Sequence, residues 1–92
     1  MKITVRLYAG FHEAVGSTEL ELEVPKGVTV LDVARILEEK FPGLRGRLVK
    51  DGELQDDVLV LVNGRSIEWL EGVKTKLRSG DRVAFFPPAA GG

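Results

Sequence analysis

One stretch alone, residues 29–41 (TVLDVARILEEKF), carries the three- and four-residue apolar spacing of a substantial helix, with Val30, Val33, Ala34, Leu37 and Phe41 on one stripe. That is the tightest constraint in the chain, because a single helix can cover only one face of a sheet. Thr29 and Asp32 form a capping pair at its start, with aspartate where glutamate or glutamine is usual. Pro42-Gly43 ends it.

The flanking segments read as strands. KITVRLY alternates Ile3, Val5 and Leu7 against Lys2, Thr4 and Arg6; TELELEV alternates Leu20, Leu22 and Val24 against Glu19, Glu21 and Glu23. The glutamates mark an edge that resists mispairing. Between these strands AGFHEAVGS reads as a turn or short helical turn. After the helix, residues 44–57 read as a polar, glycine-punctuated loop with a helical turn. VLVLVNG is a strand running into an Asn63-Gly64 hairpin turn. Residues 65–77 are irregular and read as a loop or as a short strand followed by a loop, RSGD is a turn, and RVAFF is a last strand stopped by Pro87 and Pro88. The expected fold is α+β: a β-grasp, ubiquitin-like mixed sheet curled over one main helix, with the first and last strands parallel at its centre. The expected division is a domain over residues 1–86 and an extended tail over residues 87–92.

The face away from the helix should be polar, and in two strands it is not. If Val58, Val60 and Val62 face inward, Leu59 and Leu61 face out; if Val83 and Phe85 face inward, Ala84 and Phe86 face out. An apolar patch of that kind on a small domain marks a partner surface, with Leu59, Leu61 and Phe86 as its candidates. The competing expectation is that segment 65–78, with Trp69 and Leu70, folds over the patch.

The end of the sequence, FFPPAAGG, carries no charged side chain after Arg82. Pro87 and Pro88 favour a stiff, extended exit, while Gly91 and Gly92 lack a Cβ and pass through a channel too narrow for side chains. Residues 87–92 reach at most about 20 Å when extended. A free carboxylate on Gly92 is a poor electrophile, but as an acyl-adenylate it becomes a good one. The chain lacks a phosphate-cradling GxxxxGK[ST] loop and any cysteine nucleophile. It therefore reads as a substrate and carrier, non-catalytic alone, whose chemistry is performed in trans.

Composition narrows the partners. At 92 residues and a net charge of −1, with no block of like charges, the chain is one domain without the basic surface that nucleic acid or anionic membrane would favour. With no cysteine and one histidine, His12, no metal site is expected, and His12 reads as a surface residue. The alternating N-terminus is unlike a signal peptide, and a cytoplasmic location is expected. The glutamate series reads as solubilising, and Arg6, Arg45, Arg47 and Lys50 as scattered, solvated cations. Gly80-Asp81 reads as turn geometry supporting the last strand. Trp69 is left open between a partner anchor and a lid on the core.

Across essentially its whole length the sequence resembles the small sulfur-carrier subunit of molybdopterin synthase, the MoaD group of the MoaD/ThiS ubiquitin-like carriers. The resemblance is carried by residues 61–92: the VNG hairpin, the L-x-x-GD-x-V turn (Leu77, Gly80, Asp81, Val83) and the FPP-x-x-GG end. The FPG after the helix and the longer 44–57 loop are similar to the archaeal-type members. The resemblance implies that an E1-like (MoeB-like) adenylating enzyme activates Gly92 with ATP, no cofactor being bound by the chain itself. Sulfur transfer then leaves a C-terminal thiocarboxylate. The tail would enter the large synthase subunit (MoaE-like) and give its sulfur to cyclic pyranopterin monophosphate, building the dithiolene that holds molybdenum or tungsten. The same Gly-Gly chemistry serves protein modification at lysines, tRNA thiolation or thiamine thiazole synthesis, and these remain the alternatives. A simple β-grasp interaction module is a third reading.

Overall fold

The alternation of the first and last strands is realised as a parallel pair in the middle of a sheet. In the computed structural model, which describes residues 1–88, β1 (Lys2–Leu7) pairs in parallel with the last strand, Arg82–Phe86, matching Thr4 with Arg82 and Leu7 with Phe85. A second strand, β2 (Glu19–Glu23), lies antiparallel to β1 and forms one sheet edge, as its glutamates anticipated. Two further strands of this sheet, β5 (Leu59–Val62) and β6 (Arg65–Ser66), form a hairpin beyond the last strand, which is β7 in chain order. The sheet order is β2-β1-β7-β5-β6. A separate hairpin, β3 (Val49–Lys50) and β4 (Glu53–Leu54), interrupts the long loop.

The main helix, α2 (Val30–Lys40), packs on one face. Its start is a full capping box: the Thr29 hydroxyl accepts from the Asp32 N–H at 3.2 Å, and the Asp32 carboxylate accepts from the Thr29 N–H at 3.0 Å. Val30, Val33, Ala34 and Leu37 are buried against Ile3, Val5, Leu7, Val60, Val62, Val83 and Phe85, while Phe41 is only half-buried at the rim. The result is the expected α+β, β-grasp arrangement.

The polar segments are more ordered than the sequence suggests. The AGFHEAVGS stretch forms a true helix, α1 (Ala9–Val15), although its N-cap, Tyr8, offers no side-chain cap. Burying Phe11 almost completely is worth roughly 2–3 kcal/mol, more than a missing cap costs. Gly16 ends the helix at φ 85°, its N–H reaching the His12 carbonyl at 2.7 Å. Leu44 and Leu48 of the supposed loop are fully buried, which is what anchors it. Segment 65–78 does not cover the open face. Its 3₁₀ turns, Ile67–Trp69 and Gly72–Lys74, bring Leu70 and Val73 against the core, and the second turn lies against α2.

Candidate functional site

Strand parity sorts the sheet into two faces. Leu59, Leu61, Ala84 and Phe86 share the face away from α2, and so do Lys2, Thr4, Arg6 and Tyr8 by the pairing of β1 with β7. Leu59 is 46% exposed, so it stands free of the core, while Leu61 and Phe86 are half-buried. The three residues expected at a partner surface are thus neighbours: Leu59 lies opposite Phe86, and Leu61 opposite Ala84. Trp69 is 81% exposed and caps nothing in the core.

Tyr8 is the residue that sequence reading missed. It continues the parity of Thr4 and Arg6, so its face was legible, but its partner was not. Its ring stacks on Phe86, with centroids 4.3 Å apart and planes 8° from parallel. An aromatic pair of this kind adds about 0.5–1.5 kcal/mol beyond burial, and it stands where the last strand becomes the tail. Pro87 leaves this stack half-buried and Pro88 is exposed. Gly91 and Gly92 lie outside the described residues.

The stack separates two depressions of about 500 Å³ each. On the tail side, Phe11, Arg47 and Gln55 join Pro87 and Pro88. Arg47 is held there twice: its guanidinium lies 5.4 Å from the Phe11 ring centroid and donates to the Gly10 carbonyl at 3.3 Å. On the sheet side, Arg6 and Arg82 flank Leu61, Ala84 and Phe86. Arg6 also meets Glu19 at 3.4 Å in an exposed pair, worth little in stability.

The hairpin beside the patch is built by a polar brace. Asn63 (φ 51°) and Gly64 (φ 83°) form the two-residue turn, and only residues tolerant of the left-handed region suit both places. The Asn63 side chain accepts from the Arg82 N–H at 3.0 Å and donates to Asp81 at 3.0 Å. Asp81 also accepts from the Arg78 N–H at 2.7 Å. The VNG and GD motifs are therefore two halves of one clamp, and the structural reading of Gly80-Asp81 holds. Among the described residues no cluster of His, Cys, Asp and Glu is arranged for a metal, and no helix is long and apolar enough to cross a membrane.

The sequence model of the ThiS family matches residues 5–92. The chain belongs to this family of ubiquitin-like small sulfur carriers. It is 46% identical to small archaeal modifier protein 3 of Haloferax volcanii, over the whole of both chains. It is 31% identical to the molybdopterin synthase sulfur carrier subunit of Mycobacterium tuberculosis, over 100% of this chain and 99% of that one. Among solved structures, a Haloferax volcanii protein studied in solution superposes with a TM-score of 0.90 at 46% identity, covering 100% of this chain and 87% of the other. The crystal structure of the Amycolatopsis orientalis BexX/CysO complex matches with a TM-score of 0.78 at 27% identity, over 98% of this chain and 99% of that one. The ThiS-family relatives thus include both modifiers and sulfur carriers, and one of them is seen bound to a partner protein.

Proposed function

We propose that this protein is a sulfur carrier whose Gly92 carboxylate is the reactive group, serving molybdopterin synthesis as the small subunit of the synthase. In the first step the carboxylate attacks the α-phosphate of ATP and releases pyrophosphate, within an E1-like adenylating enzyme. A partner then delivers sulfur at the sulfide level, as hydrosulfide or as a persulfide whose acyl disulfide product a second thiol reduces; the sulfur bonds to the acyl carbon, AMP leaves, and a thiocarboxylate remains. The tail next enters a large, MoaE-like subunit, where the sulfur passes to the pterin. The whole sequence runs in the cytoplasm, where ATP is available.

The observation that carries this reading is the position of the tail's root. The chain leaves the sheet at a central strand, beside the exposed patch of Leu59, Leu61 and Phe86. A partner that grips the patch therefore receives the tail at the same place. The family match running to residue 92 supports a role for the Gly-Gly end. Pro87 and Pro88 hold the first steps of the tail extended, and Gly91 lets it thread.

A second reading is conjugation of Gly92 to protein lysines, favoured by the 46% identity to a modifier protein along the full length. Mass spectrometry of the intact protein from cells making the cofactor separates the two. Replacement of one oxygen by sulfur at Gly92 supports the carrier. Gly92 in isopeptide linkage to lysines, with no thiocarboxylate competent to sulfurate the pterin, overturns it in favour of the modifier.

A further inference from the structure

Asn63 is the single asparagine of the chain, and Gly64 follows it. That dipeptide is the one most prone to deamidation, because glycine has no side chain to hinder attack by its backbone nitrogen on the asparagine carboxamide. Both residues are exposed, so the water that completes the reaction has access. The fold nevertheless engages both ends of the carboxamide. Its oxygen accepts from the Arg82 N–H and its nitrogen donates to Asp81, each at 3.0 Å, while the Asn63 N–H donates to the Arg82 carbonyl at 2.8 Å.

Deamidation cannot proceed from that arrangement. A bond must form between the Gly64 nitrogen and the side-chain carbonyl carbon of Asn63, as the bond from that carbon to the amide nitrogen breaks. The Gly64 nitrogen gives up its proton, and the amide nitrogen leaves as ammonia. Water then opens the succinimide at one of its two carbonyls and leaves aspartate or isoaspartate. The net change is water taken up and ammonia released, with no oxidation or reduction. The five-membered ring holds the Asn63 ψ angle far from that of a tight turn with positive φ at both residues, 51° and 83° here. The carboxamide must therefore leave both partners, and the turn must open, before the ring can close.

We infer that Asn63 is a deamidation site gated by the Asn63–Asp81 brace, and that each conversion removes the brace that had prevented it. An aspartate at this position has no N–H to give Asp81, and it sets a second carboxylate where the donor stood. Asp81 also accepts from the Arg78 N–H at 2.7 Å, so the repulsion reaches the turn that leads into β7, at the centre of the sheet. Isoaspartate adds a backbone carbon to a turn of two residues. The new acid also enters the depression that Arg6 and Arg82 flank, and changes its charge. Asn63 thus records how often the hairpin opens, whatever the fate of Gly92.

The test incubates the full-length protein in water enriched in heavy oxygen, at one pH and temperature, and follows label entering Asn63 by peptide mass mapping. Wild type unfolded in urea supplies the unbraced rate. The folded protein should run at least about tenfold below it, a factor within reach of the two side-chain bonds. D81A should speed the folded protein about fivefold to thirtyfold, the change in local opening expected from losing the Asp81 contacts. E38A, which instead loosens the contact of α2 with Leu48 and Val49, should leave the rate within about twofold of wild type. Equal acceleration by E38A overturns the inference, because deamidation then proceeds from the globally unfolded chain. So does an unchanged or slower rate in D81A, or a folded wild type as fast as the unfolded one. N63D, the direct product, should unfold at lower urea than wild type and lose hydrogen-exchange protection at the Arg78 amide. A midpoint at or above that of wild type overturns the loss of the brace that the inference requires.

Discussion

Glu38 makes a strong quantitative test of the forces that hold the tail-root depression together. It sits in the last turns of α2, where a negative charge opposes the helix dipole by a few tenths of a kcal/mol. What offsets that cost is a clamp: one carboxylate oxygen accepts from the Leu48 N–H at 2.9 Å and from the Val49 N–H at 2.7 Å. Hydrogen bonds to a charged acceptor contribute about 1.5–3 kcal/mol each, and the part-buried setting argues for the low end. Removing both bonds, less the relief at the helix end, leaves a net loss of about 2.5 kcal/mol for Glu38→Ala. At this chain length that lowers Tm by roughly 10–20 °C. Glu38→Gln can place its amide oxygen where the carboxylate oxygen stands and keep two neutral bonds, so its loss should be less than half as large.

Thermal unfolding is best followed by far-ultraviolet circular dichroism. The single tryptophan, Trp69, is already 81% exposed and would report little of the transition. Hydrogen exchange adds the local readout: the amides of Leu48 and Val49 should lose protection in Glu38→Ala before the sheet does. If both variants fall within 0.5 kcal/mol of wild type, the clamp contributes nothing net and the reasoning is wrong. If glutamine costs as much as alanine, charge and not acceptor geometry is the source.

Three further outcomes follow from local geometry. Asp81→Ala, which frees the Arg78 N–H and unseats the Asn63 side chain, should cost about 1–2 kcal/mol by urea unfolding. Gly43→Ala should cost about 1–3 kcal/mol, because its Cβ would stand 2.9 Å from the Ala14 carbonyl oxygen and press α1 away from the turn at Pro42–Leu44. Ala9→Gly should instead raise stability by about 0.5 kcal/mol, since Ala9 stands at φ 49°, and a loss in the same unfolding assay would show that the conformation is not strained.

The sheet was legible because its signal is periodic. Alternation placed Ile3, Val5, Leu7, Val60, Val83 and Phe85 inward, and all are buried; the same parity put Leu59, Leu61 and Phe86 outward. What escaped was decided by tertiary contact. Leu44 and Leu48 lie in a polar stretch with no period, and only packing buries them. The Asp51-Gly52 turn at φ 53° and 79° is the same hairpin signal as Asn63-Gly64, yet its strands are two residues each and give no alternation to flank it. At the site, parity assigns Tyr8 to the open face, but nothing local to residues 8 and 86 announces that the rings stack. Arg47 is further still from legible, because its place depends on how the 44–57 segment folds back.

That division bears on how the protein is told apart from its relatives. In the proposed chemistry the Gly92 carboxylate would serve equally for a thiocarboxylate and for an isopeptide bond. It needs nothing from the domain beyond a free path of about 20 Å. On the carrier reading proposed above, choice of partner would reside in the surface around the root, in Leu59, Leu61 and Phe86 and in the arginines beside them. These side chains are exposed or half-buried and mostly outside the core, so their loss should cost little stability. The Glu38 clamp and the Asn63–Asp81 brace are the reverse, holding the frame without being placed to meet a partner directly. Surface variants should therefore shift partner affinity at constant Tm, and frame variants should lower Tm first. Affinity losses that track Tm across both sets would mean that the address and the frame are one and the same.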